Sequence, residues 1–132
     1  MTRDASARLL TGLSAAAFVL SAALLASSYG SVVDSARQAP PDVATLVPAL
    51  WLSFAIAMLV FGAVVVSTLR RTDVGARTTL LFAASFPAAS GICFARFLGF
   101  GSATTILIFV AVLTLAAAAI RPSGVMTRAA AA

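Results

Sequence analysis

The chain has 132 residues, 61% hydrophobic and 10% charged, with a mean hydropathy of +1.07 and a formal charge of +5. A soluble domain carries about 25% charged residues, and a chain this short has too little polar surface to cover so much apolar area in water. A soluble enzyme is excluded on those grounds, and so is a basic nucleic-acid binder, whose cations would cluster on one wet face. The bases are all Arg and the acids all Asp, with no His, Glu, Lys or Asn, the residue usage of a GC-rich bacterial genome. No linker separates two units, so residues 1–132 read as one integral-membrane domain.

Four runs lack Arg, Lys, Asp, Glu and His: residues 9–29, 46–69, 78–95 and 102–120. A bilayer core is about 30 Å thick and a helix rises about 1.5 Å per residue, so each run is long enough for one crossing. The expected fold is all-α: an up-and-down bundle of four transmembrane helices over about 9–29, 46–69, 78–98 and 102–120.

Arg3 and Arg8 precede the first run. A cleaved signal peptide is the rival reading, with Ala26-Ser27-Ser28 as its small-residue site, but the apolar stretch of about 20 residues exceeds the usual 7–15. Small residues mark helix seams in lipid, here Gly12 with Ala16, or Ala15, Ala22 and Ala26. Residues 30–45 are expected to form the longest loop, extended at Pro40-Pro41. Asp42 is a candidate cap for the second span, and Pro48 falls in its early turns, where a missing donor costs little. The second run offers Ser53 with Ala57, or Met58 with Gly62.

Arg70, Arg71, Asp73 and Arg77 follow. They fix orientation, and such bases attract anionic headgroups by about 1 kcal/mol each. The third run places Ala84, Ala88, Gly91 and Ala95 on one face. Pro87 predicts a kink there, with Ser85 and Ser90 positioned to satisfy freed backbone groups or to line a weakly polar path. Cys93 is read as a small packing residue. Arg96 stands among Phe94, Phe97 and Phe100. It is a candidate for holding a lipid phosphate, for pairing with Asp34 or Asp42 of the outer loop, or for snorkelling to the headgroups. Gly99 and Gly101 suit a tight turn into the last span, and residues 129–132 are expected to be a disordered tail.

Arg3, Arg8, Arg70, Arg71, Arg77, Arg121 and Arg128 fall on one side of this map, and Arg37 and Arg96 on the other. The charge bias therefore predicts a multi-pass protein of the cell inner membrane with both termini cytoplasmic, N-in/C-in. Tyr29, Trp51, Phe94, Phe97 and Phe100 are expected as an aromatic belt at the outer interface.

No charge lies near a helix midpoint, where proton-coupled transport would need one. Small multidrug exporters need a Glu in their first helix, and small fluoride channels use Asn; this chain has neither. A haem carrier needs axial ligands such as His, and a membrane disulfide catalyst needs paired Cys. No catalytic, cofactor or metal residue is assigned. Arg8-Leu9-Leu10-Thr11-Gly12, opening the first run, and Arg96-Phe97-Leu98-Gly99, closing the third, resemble the small four-helix bacterial membrane proteins of the DoxX-like type. The resemblance runs from about Arg8 to Arg121. It implies a membrane subunit of an oxidoreductase or redox-linked complex, with the redox chemistry on a partner.

The sequence thus points to a non-enzymatic accessory or structural membrane subunit. Its partners would be membrane lipids and a second copy or a membrane-complex protein, with no nucleic acid and no assignable small-molecule substrate. The alternative is a small permeation or lipid-handling protein, with Ser21, Ser85, Ser90 and Thr114 along its path.

Overall fold

The computed structural model describes residues 3–71 and 73–121. Arg128 and the tail at 129–132 lie outside them. Among the described residues there are five helices: α1 (Arg3–Ser27), α2 (Tyr29–Ala36), α3 (Pro41–Ser67), α4 (Val74–Leu98) and α5 (Ser102–Ala119). All except α2 are long and apolar enough to cross a membrane. Lipid offers no hydrogen bonds, so a chain immersed in it must satisfy its backbone internally, and helices do so. The longest, α3, has 27 residues, about 40 Å at 1.5 Å per residue.

The four expected spans are present, but the segment between the first two is not an extended loop. Tyr29 does not end α1; it opens α2, an eight-residue helix with polar and apolar faces. The run Tyr29–Ala36 holds no proline, and Val32, Val33 and Ala36 at spacings of one and three give it a face to bury against α3. The Pro40-Pro41 pair starts a helix instead of stopping one. Pro40 is the N-cap and Pro41 the first helical residue, where proline gives up only a donor that would be unpaired anyway. Asp42 is therefore not the cap. It lies in the first turn, where a carboxylate favours the positive end of the helix dipole. The early start also moves Pro48 into the helix interior, where it is buried.

α4 begins as a capped helix. Asp73 Oδ1 accepts from the Ala76 amide at 3.1 Å, and Asp73 Oδ2 meets Arg71 Nη2 at 2.9 Å. Gly75 makes room for that pair, since a Cβ there would stand 3.0 Å from Arg71 Nη2. α4 ends at Gly99 with φ +79°, a conformation that disfavours any side chain. Gly101 has φ −121°, which any residue adopts, so only Gly99 needs to be glycine at this turn.

The spans form a ring in the order α4, α5, α1, α3. Two of its seams are close. A Cβ on Gly62 of α3 would come 3.1 Å from Phe18 Cβ of α1, and a Cβ on Gly91 of α4 would come 3.2 Å from Ile108 Cγ1 of α5. Ala84 and Gly91, both buried, carry the α4 seam as the spacing predicted, whereas Ala88 and Ala95 are half-buried. On α1 the buried strip is Ala15 and Ala22, with Ala16 and Ala26 exposed; on α3 it is Met58 and Gly62, with Ser53 exposed. The seam between α3 and α4 is the weakest in the ring and is filled by large rings. Phe54 lies 5.2 Å from Phe86 and 5.9 Å from Phe94, and Phe61 lies 4.8 Å from Phe86 and 5.9 Å from Phe82, centroid to centroid. Such pairs contribute about 0.5–1.5 kcal/mol beyond area burial. Phe18 and Met58 are fully buried inside the ring, so α1 is part of the core.

Candidate functional site

The buried faces of α1 and α5 follow a repeat of three and four and carry most of the buried polar side chains among the described residues. On α5 it runs Thr104, Leu107, Ala111, Thr114, Ala118 and then Arg121 just past the helix end; on α1 it runs Ala7, Thr11, Ser14, Phe18 and Ser21. Residues at that spacing share one helix face, and the two faces meet.

Near mid-depth, Ser14 and Thr114 oxygens lie 2.6 Å apart. Thr114 Oγ1 donates to Val110 O at 2.7 Å, so its proton is spent and Ser14 is the donor to it. At one end of the bundle sits Arg121, 3% exposed. Its Nη2 donates to Thr68 O at 2.9 Å and to Thr11 Oγ1 at 3.0 Å, and its Nη1 donates to Arg71 O. Thr11 relays onward, donating to Ala7 O at 2.7 Å. One guanidinium therefore joins α1, the end of α3, the turn into α4 and the end of α5. The C-termini of α3 and α5 leave carbonyls without intrahelical donors, and a cation there also opposes the negative end of each dipole. Burial pulls the Arg121 pKa below its ordinary value; Asp73 pushes it back up and Arg71 adds to the decrease. An arginine remains charged at neutral pH even so. Nε of Arg121 and Nε of Arg77 are buried without an acceptor among the described residues. Arg121, counted from the sequence as an orientation charge, is thus an internal tie. The same repeat that places Thr114 and Ala118 inside the bundle extends to it.

The opposite end is open. A cavity of about 470 Å³ is walled by Leu24, Leu25 and Ser28 of the α1 end, Val32 of α2, Trp51 and Phe54 of α3, Phe94 of α4 and Leu107 of α5, among others. Trp51 Nε1 donates to Leu25 O at 2.8 Å. Ser28 Oγ donates to the same carbonyl at 2.9 Å, and Ser31 Oγ to Ser28 O at 2.8 Å. Of the five expected belt aromatics, Tyr29, Phe97 and Phe100 face outward, while Trp51 and Phe94 turn in as walls of this cavity.

The residues singled out from sequence do not converge. The ion pairs among the described residues are Arg37–Asp34 at 3.2 Å and Arg71–Asp73. Asp34 is thus engaged one turn along its own helix, Asp42 lies in the first turn of α3, and neither reaches Arg96, which is exposed at the end of α4. α4 runs unbroken through Pro87, which is fully buried. Ser85 is exposed and donates to Phe82 O at 2.6 Å, not to the Ala83 carbonyl that Pro87 leaves without its donor. Ser90 is half-buried, whereas Ser21 and Thr114 are buried on other helices. Ser85 therefore stands outside any path through Ser21 and Thr114. Cys93 is exposed, not packed. No family model, curated protein or solved structure matches the chain.

Proposed function

We propose that this chain is a non-enzymatic integral membrane protein acting as an accessory or structural subunit, in complex with a second copy or with another membrane protein. The observation that carries the reading is the outward face of α4. α4 packs closely on α5 and lightly on α3, and its remaining face presents Ser85, Ala89, Ile92 and Arg96, all exposed, at helical spacing. Small residues beside large ones let another helix approach, and association in lipid depends on such close packing. The internal hydroxyls, by contrast, are spent on the fold. The DoxX-like resemblance fits a subunit whose partner carries the chemistry. The arginine-rich end, with Arg8, Arg70, Arg71 and Arg77, is assigned to the cytoplasm of a bacterial cell by charge bias.

The test is gentle extraction with native lipids followed by mass analysis of the intact particle. The expected result is a complex or a homo-oligomer that Arg96→Ala or an Ala89→Leu substitution on the same face weakens. A lone monomer without companions overturns the reading. A second reading, lipid handling, is favoured by the cavity at the Trp51 end, and transfer of lipid between vesicles above that of protein-free vesicles is its test.

A further inference from the structure

We propose that the cavity at the Trp51 end binds one alkyl chain carrying an uncharged, hydroxylated head, as in a monoacylglycerol. The inference deepens the lipid-handling reading, names its ligand class, and rests on that reading.

Three observations select the ligand. The walls are apolar and carry no ionisable group. A charged headgroup drawn among them would lose hydration with no opposite charge to replace it, which disfavours phosphate and carboxylate heads. Of the polar side chains lining it, all but Ser102 at the start of α5 have also spent their protons, and an alcohol can accept from that hydroxyl. Trp51 Nε1 and Ser28 Oγ donate to Leu25 O, Ser31 Oγ to Ser28 O, and Ser21 Oγ to Ala17 O at 2.7 Å. What these serines still offer is oxygen lone pairs, so the head they favour is a donor, and alcohol groups fit. The size excludes a docking helix. At about 470 Å³ the cavity equals a single helical turn, which with side chains fills roughly 400–600 Å³, and it lies in the range of about 300–1,000 Å³ typical of small-molecule sites.

The chain direction follows from the order of the elements. Ser28 and Ser31 lie at the junction of α1 and α2, and Phe54 and Leu107 lie deeper in the spans. The head sits at the junction and the alkyl chain runs down between Leu25, Phe54 and Leu107. An apolar void against these side chains forfeits dispersion contacts on one side, and in a bilayer the material at hand to restore them is an alkyl chain.

Trp51 is the one tryptophan of the chain and it lines the cavity, so its fluorescence reports occupancy. The full-length protein is placed in phosphatidylcholine vesicles and titrated with monoacylglycerol, phosphatidylglycerol or phosphatidylcholine, each brominated on the acyl chain. Brominated monoacylglycerol is expected to reach half-quenching at a mole fraction about tenfold below that of brominated phosphatidylcholine. Ala103→Phe on α5, and independently Leu24→Phe on α1, fill the cavity and are expected to abolish that preference while helicity by circular dichroism is unchanged. Equal quenching by all three lipids overturns the proposal. So does a preference shared by phosphatidylglycerol, or one that survives in both folded variants. Preferential quenching without transfer between vesicles supports the site and removes the handling role; transfer without preferential quenching does the reverse.

Discussion

The two ends of this bundle meet the same problem in opposite ways. Each end contains the C-termini of two spans, and helix C-termini leave carbonyls without donors. At the Arg121 end, one buried cation supplies donors to Thr68 O and Arg71 O and ties in Thr11 of α1. The neighbours there are small and close, with Ala7, Ala76, Ala117 and Ala118 buried. At the Trp51 end the donors are neutral: the serines are local, and the Trp51 indole of α3 crosses to α1. Ser27 and Ser28 hydroxyls reach Leu24 O, and Ser28 and the Trp51 indole reach Leu25 O. A guanidinium draws four segments inward because its fork is wide and its charge is costly to leave unpaired. Serines bond within their own helix and draw nothing in. The first end is closed as a result, and the second keeps a cavity.

The sharpest way to break this contrast is at Arg121. Arg121→Met retains the apolar stem and removes every donor; Arg71 O loses its partner, while Thr68 O keeps the Arg71 amide at 3.1 Å. The expected loss is about 1–3 kcal/mol, the cost of one carbonyl left without its donor, and some of that is offset by no longer burying a charge. Reversible unfolding in mixed micelles measures it. Arg121→Lys keeps the charge without the fork and should fall between the two. If Arg121→Met is as stable as the parent, the tie contributes nothing net and the closed end owes its form to packing alone. At the other end, Trp51→Phe is expected to cost about 1 kcal/mol, the typical value of one hydrogen bond, because Ser28 still serves Leu25 O. A larger loss there than at Arg121 would reverse the comparison.

A third test lies between the ends. A double-mutant cycle on Ser14→Ala and Thr114→Val should give a coupling of about 0.6 kcal/mol, the average for hydrogen bonds between membrane helices.

The four spans were legible in the sequence because ionisable residues are excluded from lipid-facing runs, and that rule needs no tertiary knowledge. Their starts were less so: α1 and α3 each begin several residues before their apolar runs, since α1 takes in Arg3, Asp4 and Arg8, and α3 takes in Asp42. α2 was hidden because Ser31, Asp34 and Ser35 leave it too polar to read as a span, and its helix depends on packing against α3. The candidate residues misled for a related reason. Arg96, Asp34 and Asp42 were grouped because they share a side of the membrane map, but a map of sides carries no information on position around the bundle. The inward stripe of α5 was readable in principle. Its Thr–Leu–Ala–Thr–Ala repeat leads directly to Arg121, yet apart from Thr105 the neighbouring positions are also apolar, so hydropathy alone does not separate the inner face from the lipid face.

The smallest expected effect concerns the turn beside Arg121. The Asp73 carboxyl is held below the usual 3.8, first by the Arg71 side chain and then by the Ala76 amide. A carboxyl with a depressed folded-state pKa binds fewer protons than in the unfolded chain, so it stabilises the fold above the ordinary carboxylate value, and that contribution disappears as pH falls through the lowered one. Protonation frees Arg71 and weakens the cap of α4, whose carbonyl neighbour is a ligand of Arg121. Between neutral pH and about pH 5 the midpoint of thermal unfolding should therefore be flat on account of this group, and it should decline only below about pH 4. Asp73→Asn keeps an oxygen acceptor for the cap and cannot titrate. The difference between parent and Asp73→Asn profiles isolates the contribution of this one carboxyl. A difference that shrinks as pH drops places the carboxylate among the supports of the closed end. A constant difference across that window means the closed end holds without it, and Arg121 alone then accounts for the contrast between the two ends.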